Sequence, residues 1–384
     1  MSASEYARYT RRSAHTMRTT AIRCEIVGVQ SIFCLPEHSN VKAGVTLRGV
    51  QVCAQPGAGL RTAEPLQLSI VEHPFAHAAR DRVMTSNANA VVAGVTITHP
   101  DRALWPDGGL TKLELARYYA AIAPKLLKYS GNRPISLVRC PRGPGKQCFF
   151  QRHAGENLGN HVRSVKVAGR GDGKPFIFID DIEGLVSLVQ MGTIELHAWN
   201  APVSSVKKPD RLIFDLDPSE AIEWSTTQSA ARCLRSELKK LGLVSFIKTT
   251  GGKGLHVVVP FAPGPSWDEA KAFARAFSDS IVHAQPDRYT INNRLEARKG
   301  LIFIDYLRND ETASAVAAYS VRARPGAPVS MPIEWAELSR LSGGGAFTVR
   351  EALKRRKDPW ADMSKASRQR LPSVDSLTKT ETRR

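Results

Sequence analysis

Several features that would place this 384-residue chain in a common class are missing from its sequence. No apolar stretch approaches the ~20 residues that a membrane-spanning helix needs. No apolar segment behind a basic start indicates a secretion signal. The six cysteines include no C-x-x-C pair, which disfavours a zinc ribbon. So little cysteine in a long chain is typical of a reducing compartment, and we therefore expect a cytoplasmic protein without membrane association.

Regular repetition is also absent. The sequence has no internal repeat, and its strands and helices do not follow the regular βαβ rhythm of a doubly wound fold. The apolar runs of strand length alternate irregularly with amphipathic helices. This pattern predicts an α/β (α+β) fold with mixed β-sheets flanked by helices.

Negative charge is scarce relative to positive charge. Lys and Arg number 54 against 36 Asp and Glu, which gives a net charge of +18. Such a balance favours polyanionic partners, of which nucleic acid is the commonest. Charge alone does not separate a nucleic-acid-binding protein from a soluble enzyme that happens to be basic.

Composition divides the chain into three parts. Residues 1–88 lack a sustained helical or strand period and predict an extension that is poorly ordered or loosely attached. A small folded domain and an overlong start of the reading frame remain open alternatives for it. Residues 89–363 carry the regular patterns and predict one domain. Residues 364–384 are basic and polar and predict a disordered tail.

Helix boundaries are marked in two places by capping boxes. Thr111 with Glu114 opens one predicted helix, and Ser266 with Glu269 opens another. Pro124 is expected to kink or end the first helix. A further helix is predicted over roughly 226–241.

Two aspartates follow the apolar run "LIF" at residues 212–214. Side chains alternate along a strand, so Asp215 and Asp217 are expected to share one face. Two neighbouring carboxylates repel each other unless a cation lies between them, and hard oxygen ligands suit Mg²⁺ or Mn²⁺. A turn at the end of a strand is the simpler explanation of a single D-x-D.

A third carboxylate, Asp305, ends the similar run "LIFID". Two neighbouring strands that deliver three carboxylates to one point would form a two-metal site for phosphoryl transfer. Alone, Asp305 would be an ordinary ion-pair partner of an arginine.

A glycine-rich turn, "TTGGKGLH", lies between these aspartates in sequence. Its glycines let backbone amides approach an anion, and Lys253 adds charge. The spacing is not that of a Walker A loop. A tight hairpin turn explains the glycines alone, but beside three carboxylates Thr250, Lys253 and His256 suggest a triphosphate cradle.

Aromatic and basic residues come together in a second stretch. Arg139 and Lys146 lie close in sequence to Phe149 and Phe150, as a platform for stacking bases requires. Core packing is the alternative for either phenylalanine. His197, in "GTIELHAW", is a further polar residue, beside Trp199, for which a buried histidine with satisfied hydrogen bonds is the structural alternative.

With these pieces together, the chain resembles the polymerase domain of bacterial ligase D, a branch of the archaeo-eukaryotic primase superfamily. The resemblance runs from about Val95 to about Met363. It depends on nine motifs in order: HPDRALWP, TKLELARYY, RPISLVRCP, CFFQRHA, GTIELHAW, LIFDLDP, GGKGLHVVVP, IFIDYLRN and YSVRARPGAPVSMPIEW.

The resemblance implies a primase-like catalytic core that adds nucleotides to DNA 3′ ends under template direction. It implies gap filling in non-homologous end joining, two Mn²⁺ (or Mg²⁺) ions, and NTP or dNTP substrates with ribonucleotides favoured. Asp215, Asp217 and Asp305 would hold the metals. The residues implied to bind the nucleotide are His197, Thr250, Lys253, His256, Arg308 and Arg322. Those implied to bind DNA are Arg102, Lys112, Arg139, Phe149 and Phe150, with Lys112 and Arg102 on the 5′-phosphate.

The sequence departs from the family in three places. Thr250 stands where serine is usual, Asp310 and Glu311 add negative charge that could weaken nearby DNA contacts, and "INNRLEARKG" is unusual before Asp305. The three carboxylates are intact, so activity is expected.

No K-x-D-G attachment motif of a ligase and no His-rich phosphoesterase module is found. The resemblance then implies a stand-alone, monomeric, nucleoid-associated polymerase domain that works with a separate ligase and with Ku. Two other classes stay open: a metal-dependent nuclease or phosphohydrolase, and a non-catalytic scaffold that binds DNA ends.

Overall fold

The structure is a computed structural model that describes residues 44–47, 50–53, 89–105, 109–155 and 159–374. Contacts between Cα atoms divide the chain into two units, Met1–Asn87 and Ala88–Arg384. In the first unit, strands β1 (Gly44–Leu47) and β2 (Val50–Cys53) pair antiparallel. The remainder of the extension expected over residues 1–88 lies outside the described residues.

The second unit mixes strands and helices. Its strands are β3 (Ala90–Val92), β4 (Val95–Ile97), β5 (Ile135–Arg139), β6 (Phe149–Gln151), β7 (Arg163–Val165), β8 (Phe176–Phe178), β9 (Thr193–Ala198), β10 (Arg211–Pro218), β11 (Phe246–Thr249), β12 (Leu255–Pro260), β13 (Tyr289–Thr290), β14 (Ile302–Asp305), β15 (Ala315–Val316) and β16 (Pro332–Ile333). Its α-helices are α1 (Lys112–Ser130), α2 (Ile182–Gln190), α3 (Trp224–Lys240), α4 (Trp267–Ala284), α5 (Val349–Lys354) and α6 (Met363–Ala366).

Two sheets organise this unit. The first has the order β15-β9-β5-β8-β7, with β6 paired to β5, and the second has the order β13-β14-β10-β12-β11-β16. All pairs of the second sheet are antiparallel except β13 with β14. Buried side chains from both sheets belong to one apolar cluster.

Strand β10 lies inside the second sheet, between β12 and β14. Leu212, Phe214 and Leu216 are fully buried on alternate positions, and the Phe214 ring packs on Phe277 of α4 at a centroid distance of 5.1 Å. Because successive side chains of a strand point to opposite faces, this packing turns the intervening aspartates away from the helix. Burial of one face of β10 thus fixes which way the site faces.

Local signals place the starts of two helices correctly. Both predicted capping boxes form, Thr111 with Glu114 on α1 and Ser266 with Glu269 on α4. Of the two outcomes predicted for Pro124, a kink or an end, the end does not occur, because α1 continues through the proline to Ser130. The buried side chains of Leu126 and Tyr129 beyond the proline hold the last turns against the core.

The ordered chain also extends past residue 363, where the sequence predicts the tail to begin. Helix α6 spans this point, and the Gln369 side chain then hydrogen-bonds both the N–H and the C=O of Val244. Leu371 packs against the apolar core. These contacts anchor residues 364–371 despite their polar composition, while residues 375–384 lie outside the described part.

Candidate active site

The pairing of strands brings the three predicted carboxylates to one face. Asp215 lies directly opposite His256 of β12 on one side and opposite Asp305 of β14 on the other. Directly opposed residues of antiparallel strands share a face, and Asp217, two residues on, shares it too. Lys248 of β11 extends the same row beyond His256.

Arg308 and His256 contact the carboxylates of Asp215 and Asp305. Arg308 Nε lies 3.0 Å from Asp305 Oδ2 and 3.6 Å from Asp215 Oδ2. His256 Nε2 lies 3.4 Å from Asp215 Oδ1, and this histidine is buried with no partner for its Nδ1 among the described residues. His256 is therefore placed beside a predicted metal ligand rather than on the exposed surface of the glycine loop.

Asp217 has a separate pair of cations. Lys253 Nζ and Arg298 Nη1 each lie 3.3 Å from its carboxylate oxygens. The Arg298 guanidinium also stacks on the Phe303 ring, 3.6 Å from its centroid. Sequence reasoning missed Arg298, although it belongs to the segment "INNRLEARKG" that stood out as unusual.

The three carboxylates differ in how firmly they are ionised. Burial raises the pKa of Asp217 and of Asp305, and the negative charge of Asp215 raises both further. Burial acts in the same direction on Asp215, but His256 and Arg308 hold the pKa of this carboxyl below its ordinary value. An additional cation at the site would therefore stabilise the ionised forms of Asp217 and Asp305.

The chemistry of this donor set fits a hard divalent cation, because Mg²⁺ and Mn²⁺ prefer carboxylate oxygens. As the side chains lie, no three histidine, cysteine or carboxylate groups within the described ranges are arranged to hold an ion. The Arg308 guanidinium contacts two of the carboxylates instead. Binding of a divalent ion would replace those contacts.

The glycine turn between β11 and β12 is organised by the Thr250 hydroxyl. It donates to the C=O of Gly254 and accepts from the N–H groups of Gly252 and Gly254. A Cβ on Gly254 would lie 2.3 Å from the carbonyl oxygen of Leu216, so only glycine fits there. Lys253 projects from the turn, half exposed. The hydroxyl noted in the sequence thus shapes the loop, and Lys253 supplies the loop's positive charge, which is paired with Asp217.

Two arginines lie against this turn. Arg322 Nη1 donates to the carbonyl oxygen of Thr250 at 2.5 Å. A Cβ on Gly252 would lie 3.1 Å from Nη1 of Arg324, which places that guanidinium over the loop as well. The sequence prediction included Arg322 but missed Arg324, for which the alternation in "VRAR" was the available signal.

A buried glutamate joins His197 to Arg322. Glu195 Oε2 lies 2.9 Å from His197 Nε2 and 3.0 Å from Arg322 Nε, and Oε1 accepts from the N–H of Ala323. Burial would raise the pKa of Glu195, yet Arg322 and His197 lower it to about 2. The sequence prediction named His197 and Arg322 but not the carboxylate between them.

A second group of predicted residues lines a cavity of about 110 Å³ beside α1. Lys112 Nζ donates to the C=O of Thr98 and to Gln190 Oε1. Burial, with the charge of Arg102, lowers the pKa of Lys112 to about 8. Thr193 Oγ1 is buried there without a hydrogen-bond partner in the described chain. Sequence reasoning found Arg102 and Lys112 but missed Gln190 and Thr193.

Phe149 and Phe150 are both exposed, by 44% and 45%, which excludes core packing for either. The guanidinium of Arg139 lies 5.2 Å from the Phe149 ring centroid, and that of Arg152 lies 5.4 Å from the Phe150 centroid. The Phe150 ring also meets the imidazole of His197 edge-on at 5.7 Å. The aromatic pair thus extends from the surface to His197, which is hydrogen-bonded to Glu195.

The basic loop before these rings is closed by a disulfide between Cys140 and Cys148. This differs from the expectation of reduced cysteines. Pairing of β5 with β6 sets Arg139 opposite Phe149, and the two cysteines come next on the loop side, with Cα atoms 4.3 Å apart.

The acidic departures at Asp310 and Glu311 are neutralised within the chain. Lys271 Nζ lies 2.5 Å from Asp310 Oδ2, and Glu311 pairs with both Arg170 and Lys207. These carboxylates are therefore occupied by protein cations.

None of the helices in the described ranges combines the length and apolar character that a membrane crossing requires.

Comparison with known proteins bears on the same region. Residues 111–360 match the family model described as LigD, primase-polymerase domain. The multifunctional non-homologous end joining protein LigD of Pseudomonas aeruginosa is 41% identical over 292 residues, which are 75% of this chain and 35% of that protein. The Mycobacterium tuberculosis LigD is 32% identical over 252 residues, 64% of this chain and 33% of that protein.

A solved structure gives the same result for the fold. The polymerase domain of Mycobacterium tuberculosis ligase D in complex with DNA superposes with a TM-score of 0.66 and 28% identity, over 72% of this chain and 99% of that one. The chain spans about a third of the length of the curated relatives above. The predicted primase-like α/β fold is confirmed, and the chain belongs to the LigD primase-polymerase family.

Proposed function

We propose that this chain is a metal-dependent, template-directed nucleotidyltransferase that extends DNA 3′ ends with ribo- or deoxyribonucleotides. The observation that supports this most is the row of three carboxylates facing one side of β10 and β14, next to a glycine turn that carries Lys253. These residues lie within the part of the chain that matches the primase-polymerase family. Gap filling during bacterial non-homologous end joining is the proposed role.

Asp215, Asp217 and Asp305 would hold divalent ions, Mn²⁺ or Mg²⁺ and two in number. Such ions neutralise charge on a triphosphate and favour ionisation of a primer 3′-hydroxyl. The protein's own part begins with its cations. Lys253 and Arg308, now paired with the carboxylates, would exchange these partners for phosphate oxygens, since charge-assisted hydrogen bonds to phosphate are strong.

The glycine turn would hold the rest of the triphosphate. Thr250 fixes the turn's backbone by accepting from the Gly252 and Gly254 amides. Lys253, which projects half exposed from this turn, would contact the phosphates. Arg322 lies against the turn and would contact nucleotide or template, and His197 would contact the sugar. His256, buried beside Asp215, would act at the phosphate end through that carboxylate.

The DNA would occupy the surface around the second group. Lys112 and Arg102 would hold the 5′-phosphate of the downstream strand in their cavity. Phe149 and Phe150 would stack on template bases, with Arg139 beside them. We further propose a monomer that acts in the cytoplasm at the nucleoid, with Ku and a separate ligase as partners. The names of the relatives above, which are non-homologous end joining proteins, support an end-joining setting.

One assay separates this function from its rivals. The chain is incubated with a gapped duplex that bears a 5′-phosphate, with Mn²⁺ and with labelled nucleotides. Templated extension is expected from the natural chain and none from Asp215→Ala. Asp279→Ala removes an equal charge from an exposed helical ion pair and should extend normally.

Other outcomes would overturn the proposal. Degradation of the duplex without extension would indicate a nuclease. Binding of DNA that leaves the duplex unchanged and is indifferent to Asp215→Ala would indicate an end-binding scaffold.

A further inference from the structure

Glu195 connects parts of the molecule that are distant in sequence. It is only 4% exposed. Its carboxylate hydrogen-bonds His197 on its own strand β9 and the Ala323 N–H on a later segment, and it forms an ion pair with Arg322. Arg322 in turn donates to the Thr250 carbonyl at the glycine turn. A single carboxylate therefore links the first sheet to the turn of the second sheet.

The charge of Glu195 determines where the imidazole proton lies. An ionised carboxylate can only accept hydrogen bonds, and the pKa of Glu195, about 2, keeps it ionised. The proton between Glu195 and His197 must therefore sit on Nε2. Burial lowers the pKa of His197, and although the hydrogen bond and the charge of Glu195 act to raise it, the charges of Arg322 and Arg308 add to the lowering and the pKa stays below its ordinary value. The imidazole is then neutral near pH 7, and Nδ1 carries a lone pair.

The Nδ1 atom is available to a ligand. Across the described residues, no hydrogen bond to His197 Nδ1 is made, and the side chain is 16% exposed. The edge-on contact with Phe150 limits rotation of the ring from the other side. The imidazole thus presents one fixed acceptor beside the proposed nucleotide site.

We propose that Glu195 is a positioning residue that orients His197 so that Nδ1 accepts a hydrogen bond from a sugar hydroxyl of the incoming nucleotide. This inference depends on the proposed function. It makes discrimination between nucleotides that have and lack that hydroxyl depend on a side chain that touches neither the sugar nor the phosphates. The 2′- and 3′-hydroxyls offer the same O–H donor, and the test below distinguishes them.

Glu195→Gln changes this arrangement with little change in shape. The amide NH₂ must face either the Ala323 N–H or the His197 N–H, beside which the Arg322 guanidinium lies. If it faces His197, the imidazole becomes the acceptor at Nε2 and loses its free acceptor at Nδ1. If it faces Ala323, two donors oppose each other and the side chain is displaced. In the first case His197 loses its acceptor at Nδ1, and in the second case it loses its orientation.

The experiment measures binding of ATP, 2′-deoxy-ATP and 3′-deoxy-ATP with Mn²⁺ by calorimetry. The natural chain should bind one deoxy analogue more weakly than ATP, by about three- to tenfold for one neutral hydrogen bond. The analogue that loses affinity identifies the hydroxyl. In Glu195→Gln that ratio should fall to near one. Glu337→Gln, which also removes a carboxylate bonded to an arginine, should leave the ratio unchanged.

A second variant makes the test independent of how Glu195→Gln folds. His197→Phe keeps an aromatic ring against Phe150 but removes both nitrogens, and it should abolish the same ratio. Adding Glu195→Gln to it should not change the ratio again, because residues that act through one contact are not additive.

Two failures are distinguishable. Nucleotide binding with an unchanged ratio in Glu195→Gln or His197→Phe would overturn this inference and leave the proposed function standing. Absence of nucleotide binding by the natural chain would overturn the proposed function and this inference with it.

Discussion

Several functional side chains of this protein have pKa values that are set by the groups around them. Lys112 shows this most directly. Its ammonium donates to Thr98 and Gln190 in a confined cavity, and burial with the nearby Arg102 lowers its pKa to about 8. An exposed lysine has a pKa of about 10.4 and would stay charged up to about pH 9.

We therefore expect the preference for a 5′-phosphorylated gap to depend on pH. The lysine is charged below its pKa and neutral above it, so the preference should fall, by roughly tenfold, as the pH rises through about 8 and beyond. Affinities for gapped duplexes with a 5′-phosphate and with a 5′-hydroxyl, measured between pH 6.5 and 9.5, check this.

The control is Lys112→Arg, which stays charged over that range and should flatten the profile. Lys112→Ala should lose the preference at every pH while extension on simple ends continues. An equal preference at pH 7 and pH 9.5 in the natural chain would contradict the assignment.

The residues that the sequence indicated without the family resemblance are those with a local signal. Asp215 and Asp217 are two apart on one strand, and alternation alone puts them on one face. Glu195 could not be found this way, because Arg322 and Ala323 come to it from far along the chain. The same holds for Thr193, whose role depends on a cavity.

Among the elements, the glycine turn and β10 are fitted closely to each other. A Cβ on Gly254 would meet the Leu216 carbonyl oxygen at 2.3 Å, and backbone cannot move aside cheaply. Gly254→Ala should lower the free energy of unfolding by about 2 kcal/mol, as overpacking does, and should weaken nucleotide binding. Urea denaturation and nucleotide titration measure the two effects.

Gly264→Ala is the matched control, because its nearest neighbour would be 3.9 Å away and its φ is not positive. It should change stability by less than about 0.5 kcal/mol. Equal effects of the two substitutions would show that the turn is not tightly fitted to β10.

The loop between β5 and β6 is closed by the Cys140–Cys148 disulfide, and we expect this bond to contribute to the stability of the fold. Replacing Cys140 and Cys148 together by serine should lower the free energy of unfolding by about 2.5 kcal/mol, from the entropy of a short closed loop. A reductant should bring the natural chain to the same level. Cys233→Ser, at a free cysteine, is the control. Unfolding that is indifferent to reductant would contradict this.

Some element ends are set by residues that are close in sequence, and others are set by tertiary contacts. The capping boxes at Thr111 and Ser266 form as predicted because all their atoms lie within four residues. Pro124 does not end α1, since tertiary packing of the following turns outweighs a local penalty. The chain after Met363 is ordered for a similar reason, through Gln369 and Leu371.

For the whole molecule, the net charge of +18 favours binding to polyanions such as DNA. Binding to DNA should weaken steeply with salt, because each phosphate contact releases counterions. We expect at least about a tenfold loss of affinity between 50 and 200 mM KCl, measured by fluorescence anisotropy. Sucrose at matched osmolality is the control and should have little effect. Affinity independent of salt would contradict a phosphate-binding surface.

The sequence by itself determined the fold class, the strand that carries Asp215 and Asp217, the third aspartate and the glycine turn. These follow from periodicity, from spacing and from a resemblance carried by nine motifs in order. Only the tertiary structure decided which groups meet across the sheets. It placed Arg308 on two carboxylates, Arg298 on Asp217, and Glu195 between His197 and Arg322. Spacing along one strand is local, whereas these contacts depend on strand order and register, which no single segment encodes.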